Sequence, residues 1–182
     1  MRLAARKRSA PTLPLTPRLI KSVNGIEEPI KGNGALDMTE NNLRKMRRSM
    51  YAVVNDRRGT AYRSRIIAKD MRMAGKTGTS QVRSVVVNNN EVPWEQRDHA
   101  LFVGFAPYDD PKYAVAVLVE HGGGGSKAAA PIARDVMLQA LYDGEPPVEA
   151  YPSGDRSRIR NQQRRLRDVQ PDARIKTSKD QA

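Results

Sequence analysis

The chain has 182 residues and a net charge of +12, with no cysteine and two histidines. This length allows one domain with a modest core. The lack of cysteine excludes disulfides and thiolate metal sites, and two imidazoles exclude a histidine-rich metal site. No apolar run approaches the ~20 residues that span a bilayer, and residues 1–21 lack the apolar stretch of a signal peptide. We therefore expect no metal, anchor or signal, and a cytoplasmic location if the chain is expressed as it stands.

The positive charge is concentrated at the two ends of the chain. Residues 1–21 carry six Lys and Arg and no acid, and residues 152–182 carry nine against four acids. Residues 22–151 carry 17 basic and 16 acidic side chains. A folded nucleic-acid-binding module usually carries its positive charge on the folded surface. We therefore expect no specific nucleic acid as a partner. The alternative function is a nucleic-acid binder that acts through its basic ends.

The first half of the chain predicts an irregular segment, a hairpin and a helix. Residues 1–15 mix proline with basic side chains and predict no regular structure, and the glycines of residues 20–34 indicate a loop or hairpin. Apolar residues then recur at helical spacing after Asp37 or Thr39, either of which can cap the helix, and Gly59 is its predicted end.

Three apolar segments with short connections predict a sheet. They are residues 71–87, His99–Ala106 and Tyr113–Val119, and the last is apolar without alternation, which is typical of a strand covered on both faces. Short connections favour antiparallel neighbours. The predicted fold class is α+β, with a three-stranded antiparallel meander and flanking helices.

A last helix and a basic tail complete the chain. Ser126 is the expected cap of this helix, which follows a run of glycines, and Gly144 is its expected end. Residues 145–182 contain few apolar side chains and many arginines, so we expect a disordered basic tail. The predicted domain boundaries are therefore 1–15, 16–144 and 145–182.

The most informative motif is Lys76-Thr77-Gly78-Thr79. A phosphate-binding loop needs a further glycine where this chain has Asp70, and it must be followed by a helix rather than by a predicted strand. A strand lining a cleft fits better. Thr77 and Thr79 lie two apart, so their hydroxyl groups share one face, while Gly78 leaves room for a substrate backbone.

Each part of this motif has a chemical use in such a cleft. Lys76 supplies a positive charge near a carboxylate-bearing substrate, and a free backbone amide at Thr79 can donate to an oxyanion. The alternative is an ordinary edge strand without a ligand, because three letters are weak evidence. The surroundings of the motif decide between the two.

The order of several segments around this motif resembles a known family. The chain runs NDRRGTA, then the motif, then DHALFVGFAP, YAVAVLVE and a glycine run. This order resembles the C-terminal part of the transpeptidase domain of class B penicillin-binding proteins, of the penicillin-binding protein 2 type, over residues 16–142. The K-T-G triplet matches the third motif of serine penicillin-binding proteins and β-lactamases.

The resemblance implies a fold and an activity. It implies a partial penicillin-binding protein/β-lactamase-like fold, and a serine-type D,D-transpeptidase that cross-links peptidoglycan at the inner membrane, facing the periplasm. Its ligands would be a stem peptide ending in D-Ala-D-Ala or a β-lactam, without a cofactor. Lys76, Thr77, Gly78 and Thr79 would bind the substrate or the β-lactam, and the Thr79 amide would join the oxyanion hole.

Two further motifs of the family need a separate account. None of the ten serines is followed by lysine at the third position, so the chain has no S-x-x-K nucleophile. Ser22-Val23-Asn24 fits S-x-N, but it directly follows residues 16–20, whose counterpart in the family lies well after the true second motif, so we interpret it as coincidence. We expect no catalysis from this chain alone. An alternative function is a fragment that docks on a separately encoded N-terminal transpeptidase half, because an edge of strand Tyr113–Val119 is left unpaired.

Overall fold

The structure is a computed structural model that describes residues 22–27, 38–86 and 88–169. The chain divides into two units, residues 1–45 and residues 46–182, which are described separately. The predicted segment 1–15 lies outside the described residues. Among the residues described, no helix has the length and apolar content required to cross a membrane.

The first unit contains a small hairpin. β1 (Ser22–Val23) and β2 (Ile26–Glu27) pair antiparallel. Asn24 and Gly25 form the turn between them with φ values of 51° and 80°. Asparagine and glycine adopt this left-handed geometry most readily, which makes the pair typical of two-residue hairpin turns. The hairpin expected within residues 20–34 is confirmed.

The first helix, α1 (Glu40–Asn55), crosses the junction between the two units. The backbone N–H of Asn42 donates to Thr39 Oγ1 at 3.3 Å, so Thr39 caps the helix as predicted. Asp37, the other candidate cap, lies outside the described residues. The helix ends before a turn in which the N–H of Gly59 donates to the carbonyl of Asp56 at 2.9 Å.

A three-stranded sheet forms the centre of the second unit. β3 (Ala74–Ser80), β4 (His99–Ala106) and β5 (Tyr113–Val119) lie in the order β3-β4-β5, and both neighbouring pairs are antiparallel. Thr77 of β3 lies opposite Phe102 of β4. The antiparallel meander predicted from the three apolar segments is confirmed.

The first strand of the sheet is shorter than predicted. A strand over residues 71–87 is wrong at both ends, because β3 begins at Ala74, after a short 3-10 helix at Lys69–Met71, and stops at Ser80, after which residues 82–85 form bends. Ser80 pairs with His99, the first residue of β4, so β4 offers no partner beyond this point. The N–H of Val82 instead donates to the carboxylate of Asp98 at 3.4 Å, which directs the chain away from the ladder.

The residues that the structure describes cover only one face of the sheet well. Phe102 of β4 is fully buried, whereas its neighbour Val103 is 48% exposed. Val117 of β5 is half-buried and Leu118 is 58% exposed. The expectation that Tyr113–Val119 is covered on both faces is therefore wrong for this structure. The buried core lies on the Phe102 face and includes Val54, Ala61, Ile66, Met73, Ala100, Phe102, Ala130, Ala133, Met137 and Leu138.

The second helix, α2 (Ala129–Tyr142), packs on the buried face of the sheet. The predicted cap at Ser126 is wrong, because the helix begins three residues later and Ala128 precedes it without a side-chain hydrogen bond. Asp143 ends the helix in a left-handed conformation with φ of 48°, directly before Gly144. The predicted end of this helix is thus correct to within one or two residues.

Part of the predicted disordered tail, residues 145–182, is a helix. α3 (Ser153–Val169) buries Ile159, and Gln163 Nε2 donates to the carbonyl of Pro146 at 2.8 Å. Asp155 forms an ion pair with Arg134 of α2, whose side chain is fully buried. Low apolar content suggested disorder, but this helix is attached through polar groups. Residues 170–182 lie outside the described residues.

Candidate active-site strand

The Lys76–Thr79 motif lies on β3, an edge strand of the sheet. β4 pairs with one side of β3, and among the described residues no strand pairs with the other. Lys76 and Thr79 are exposed, and Thr77 and Gly78 are half-buried. An extended ligand therefore has access to the open side of the strand along the whole motif.

The close approach of Gly125 to the sheet shows which residues of β3 direct their N–H and C=O groups towards β4. A Cβ at Gly125 would collide with the carbonyl oxygens of Gly78 and Leu101, and it would lie 3.1 Å from the nitrogen of Gly78. These three backbone atoms therefore lie between β3 and β4, where the paired residues Gly78 and Leu101 face each other. Because antiparallel strands alternate, the N–H and C=O groups of Thr77 and Thr79 point to the open edge.

The lysine of the motif also reaches this edge. Lys76 Nζ donates a hydrogen bond to the carbonyl oxygen of Thr77 at 2.7 Å. Since that carbonyl points away from β4, the ammonium group lies beside the open edge rather than over the sheet. The positive charge and the Thr79 amide thus border the same open edge of β3, as an anionic ligand requires.

A further hydroxyl group, which the sequence analysis did not identify, contacts the motif. Thr60 Oγ1 lies 3.0 Å from Thr77 Oγ1. Thr60 is exposed in the turn that follows α1, and its distance in sequence from β3 has no periodic relation to the motif. The segment that contains Thr60, NDRRGTA, contributes to the family resemblance but does not by itself predict this contact. Spacing alone offered no signal for this contact.

Hydrogen bonds fix α1 and the turn after it beside β3. Asn55 Nδ2 donates to the carbonyl of Met73 at 2.9 Å and to that of Tyr51 at 3.0 Å, which joins the end of the helix to the start of the strand. In the turn, the backbone N–H of Arg58 donates to Asp56 Oδ1 at 2.9 Å and holds the pKa of that carboxyl below its usual value. This turn presents Thr60 to Thr77.

The two histidines lie at the far end of the motif strand. The N–H of His121 donates to His99 Nδ1 at 2.9 Å, and the ring centroids are 4.7 Å apart. The ring centroids of Trp94 and His121 are also 4.7 Å apart. The described residues contain no group of three side chains arranged to hold a metal ion. His99 Nδ1 accepts the hydrogen bond from the His121 backbone, so this nitrogen is already used within the fold.

Comparison with known proteins identifies the family of this chain. Residues 14–138 match the penicillin binding protein transpeptidase domain family, and the chain belongs to that family. Among its relatives is the peptidoglycan D,D-transpeptidase MrdA of Haemophilus influenzae, 40% identical over 147 residues. That alignment covers 75% of this chain and 22% of the relative. The chain therefore aligns with part of that relative and spans about a fifth of its length.

Solved structures of penicillin-binding protein 2 have the same partial fold. The Pseudomonas aeruginosa protein in complex with WCK 5153 is 33% identical with a TM-score of 0.55, covering 71% of this chain and 27% of that one. The Helicobacter pylori protein in complex with MreC is 34% identical with a TM-score of 0.50, covering 67% and 21%. The resemblance to the penicillin-binding protein 2 type, and the partial fold predicted from it, are confirmed.

Proposed function

We propose that β3 forms one wall of a D,D-transpeptidase active site, which binds a peptidoglycan stem peptide or a β-lactam along its open edge. Lys76 provides positive charge, the hydroxyl groups of Thr77 and Thr79 hold the substrate carboxylate, and Gly78 admits the substrate backbone. The Thr79 amide donates to the oxyanion that develops during acyl transfer. The observation that carries this proposal is the direction of the Thr77 and Thr79 backbone groups.

The acylated serine must be supplied from outside this sequence. Acylation requires a hydroxyl oxygen activated by a nearby base, and the sequence contains no S-x-x-K motif. We expect no covalent label when the chain alone is incubated with a fluorescent penicillin and separated on a denaturing gel. A stoichiometric label on one of its serines would contradict the proposal.

A chimera provides the direct test of the motif. In the Haemophilus influenzae relative, the matching segment is replaced by residues 14–138 of this chain, and labelling by fluorescent penicillin is followed with time. Lys76→Ala should abolish or strongly slow labelling, because it removes the positive charge at the open edge. Lys112→Ala, at an exposed site between β4 and β5, is the control and should label normally. Equal labelling of the two variants would refute the role of Lys76.

We further propose that the open edge of β5 is where the rest of a transpeptidase domain pairs. The backbone N–H and C=O groups of Leu101 bond to β3, so those of the residues on either side of Leu101 in β4 bond to β5. The register then places the N–H and C=O groups of Ala116 on the open edge of β5. Leu118 of β5 and Val136 of α2, 58% and 52% exposed, lie in the two elements that border this edge. No charged side chain occurs in Tyr113–Val119 to discourage pairing.

Proline substitutions distinguish the two sides of β5. The unpaired edge of β5 should let copies of the chain self-associate. Ala116→Pro removes an N–H that points to this edge, so the chain should stay folded but self-associate less and bind a separately expressed N-terminal half less well. Val117→Pro removes an N–H that bonds to β4 and should unfold the sheet. Sedimentation velocity and circular dichroism measure both effects. Unchanged self-association and unchanged binding in Ala116→Pro would contradict the proposal.

The cellular location follows from the proposed activity. A peptidoglycan transpeptidase works on the periplasmic side of the inner membrane, so we propose that the protein containing this segment acts there. A cytoplasmic location for the chain by itself remains the alternative. Fractionation of cells that express the native gene, with detection by an antibody to residues 46–169, distinguishes the two.

A further inference from the structure

The helix α3 follows the segment that matches the family, which ends at residue 138. It is firmly attached to the second unit. Asp155 in its first turn pairs with the buried Arg134, Ile159 is 3% exposed, and Gln163 donates to the carbonyl of Pro146. The opposite face of α3 is therefore held in a fixed position.

That outer face is strongly basic. α3 contains six arginines and two aspartates. One of those aspartates, Asp155, is paired with Arg134 and also lies 3.7 Å from Arg158. Arg160, Arg164 and Arg165 are exposed, and none has a carboxylate partner within 4 Å among the described residues. The positive charge of residues 153–169 thus lies on a folded surface, which revises the expectation that it belongs to a disordered tail.

Four side chains form a shallow depression on this face. Arg158 and Arg165 flank Asn161 and Gln162, and all four line the same concavity. A separation of seven residues places the two arginines on one face, with Cα atoms about 10.5 Å apart along the helix axis. Guanidinium groups bind carboxylates through two parallel hydrogen bonds, and the amides between them both donate and accept.

We propose that this depression, formed by Arg158, Asn161, Gln162 and Arg165, is a docking site for an acidic polypeptide segment. A polypeptide supplies carboxylates for the two arginines together with N–H and C=O groups for the two amides. A phosphodiester backbone offers only acceptors, so it would satisfy the guanidinium and amide N–H groups but would leave the Asn161 amide oxygen without a donor. The depression contains no apolar side chain to insert into a bilayer. A second copy of this chain would bring the same positive charge and be repelled.

The test uses the full chain and a designed probe. The probe is a fluorescein-labelled alanine-rich helical peptide with glutamates seven residues apart, and the matched control peptide has glutamine at those positions. Fluorescence anisotropy should detect binding of the glutamate peptide alone, weakening as salt concentration rises. The double variant Arg158→Gln/Arg165→Gln should weaken binding about tenfold, since each exposed ion pair contributes modestly.

The control variant removes the same charge elsewhere. Arg57→Gln/Lys112→Gln changes two exposed residues outside α3 and should leave binding within about twofold, because screening limits distant charges. Circular dichroism should show unchanged helix content in both variants. An equal loss in both variants, or no binding of the glutamate peptide, would overturn the proposal. A 20-base-pair DNA duplex or phosphatidylglycerol vesicles binding as tightly as the peptide would also overturn it.

Discussion

The hydroxyl oxygens of Thr60 and Thr77 lie 3.0 Å apart, although the two residues belong to different elements of the fold. Thr77 lies in the K-T-G strand, and Thr60 lies in the turn after α1. The contact limits the orientations available to the Thr77 hydroxyl, which is proposed to bind the substrate carboxylate. Thr60 is therefore a candidate positioning residue for that hydroxyl group.

Loss of the Thr60 hydroxyl should slow acylation without unfolding the protein. In the chimera, Thr60→Val should lower the second-order rate constant of acylation by penicillin about fivefold, the equivalent of one hydrogen bond of about 1 kcal/mol. Thr60→Ser keeps the hydroxyl and should restore most of the rate. The melting temperatures of the unmodified chimera, Thr60→Val and Thr60→Ser should be the same. Native acylation by Thr60→Val would show that the contact has no role in catalysis.

Gly125 should be required for the geometry of β3. Gly125→Ala places a methyl group against the carbonyl oxygens of Gly78 and Leu101, so we expect a loss of about 1–3 kcal/mol in the free energy of unfolding. Gly124→Ala is the matched control, because a Cβ there meets no atom within 4 Å, and its effect should be below about 0.5 kcal/mol. Urea denaturation measures both. Equal stabilities would mean that Gly125 lies farther from the sheet.

The ion pair between Asp155 and Arg134 should hold α3 in place. Burial disfavours the charge of Arg134, but hydrogen bonds to Asp135 and Asp155 outweigh burial and raise its pKa. Asp155→Asn leaves this buried charge with one carboxylate and should destabilise the protein by about 3 kcal/mol. Asp168→Asn, exposed near the end of the same helix, should change stability by less than about 0.5 kcal/mol.

Limited trypsin digestion provides a local measure of the same contact. The native chain should resist cleavage within Ser153–Val169, because the helix is docked, whereas Asp155→Asn should be cut early at the arginines of α3. Early cleavage of the native chain there would contradict the docked arrangement. It would instead favour the basic disordered tail that composition suggested.

Tyr151 should make stability sensitive to alkaline pH. Tyr151 is 4% exposed, and the centroid of its ring lies 5.1 Å from the guanidinium carbon of Arg134. Burial raises its pKa from 10.0 to about 12. The unfolded chain therefore loses the phenolic proton first, and the stabilisation present below pH 10 is lost as pH rises towards 12. Tyr151→Phe lacks this ionisation, so its melting temperature should fall less than that of the native protein over this interval. Parallel curves would contradict the assignment.

Local sequence determined the sheet and the motif within it. The strands His99–Ala106 and Tyr113–Val119 were predicted with their observed bounds, because apolar runs closed by turn residues have few alternative structures. The glycines of residues 20–34 likewise indicated a loop or hairpin, although the turn at Asn24-Gly25 was not predicted. Lys76, Thr77, Gly78 and Thr79 were found from their order, and their roles in binding remain proposals.

Tertiary contacts decided what the sequence pattern could not. β3 ends at Ser80 rather than at residue 87 because its partner strand ends there. α3 forms because a buried arginine in α2 holds Asp155, an interaction that composition does not reveal. Thr60 joins the motif only through the path of the chain after α1. Propensity and periodicity describe neighbours in sequence, whereas these three features depend on partners distant in sequence that folding brings within hydrogen-bonding distance.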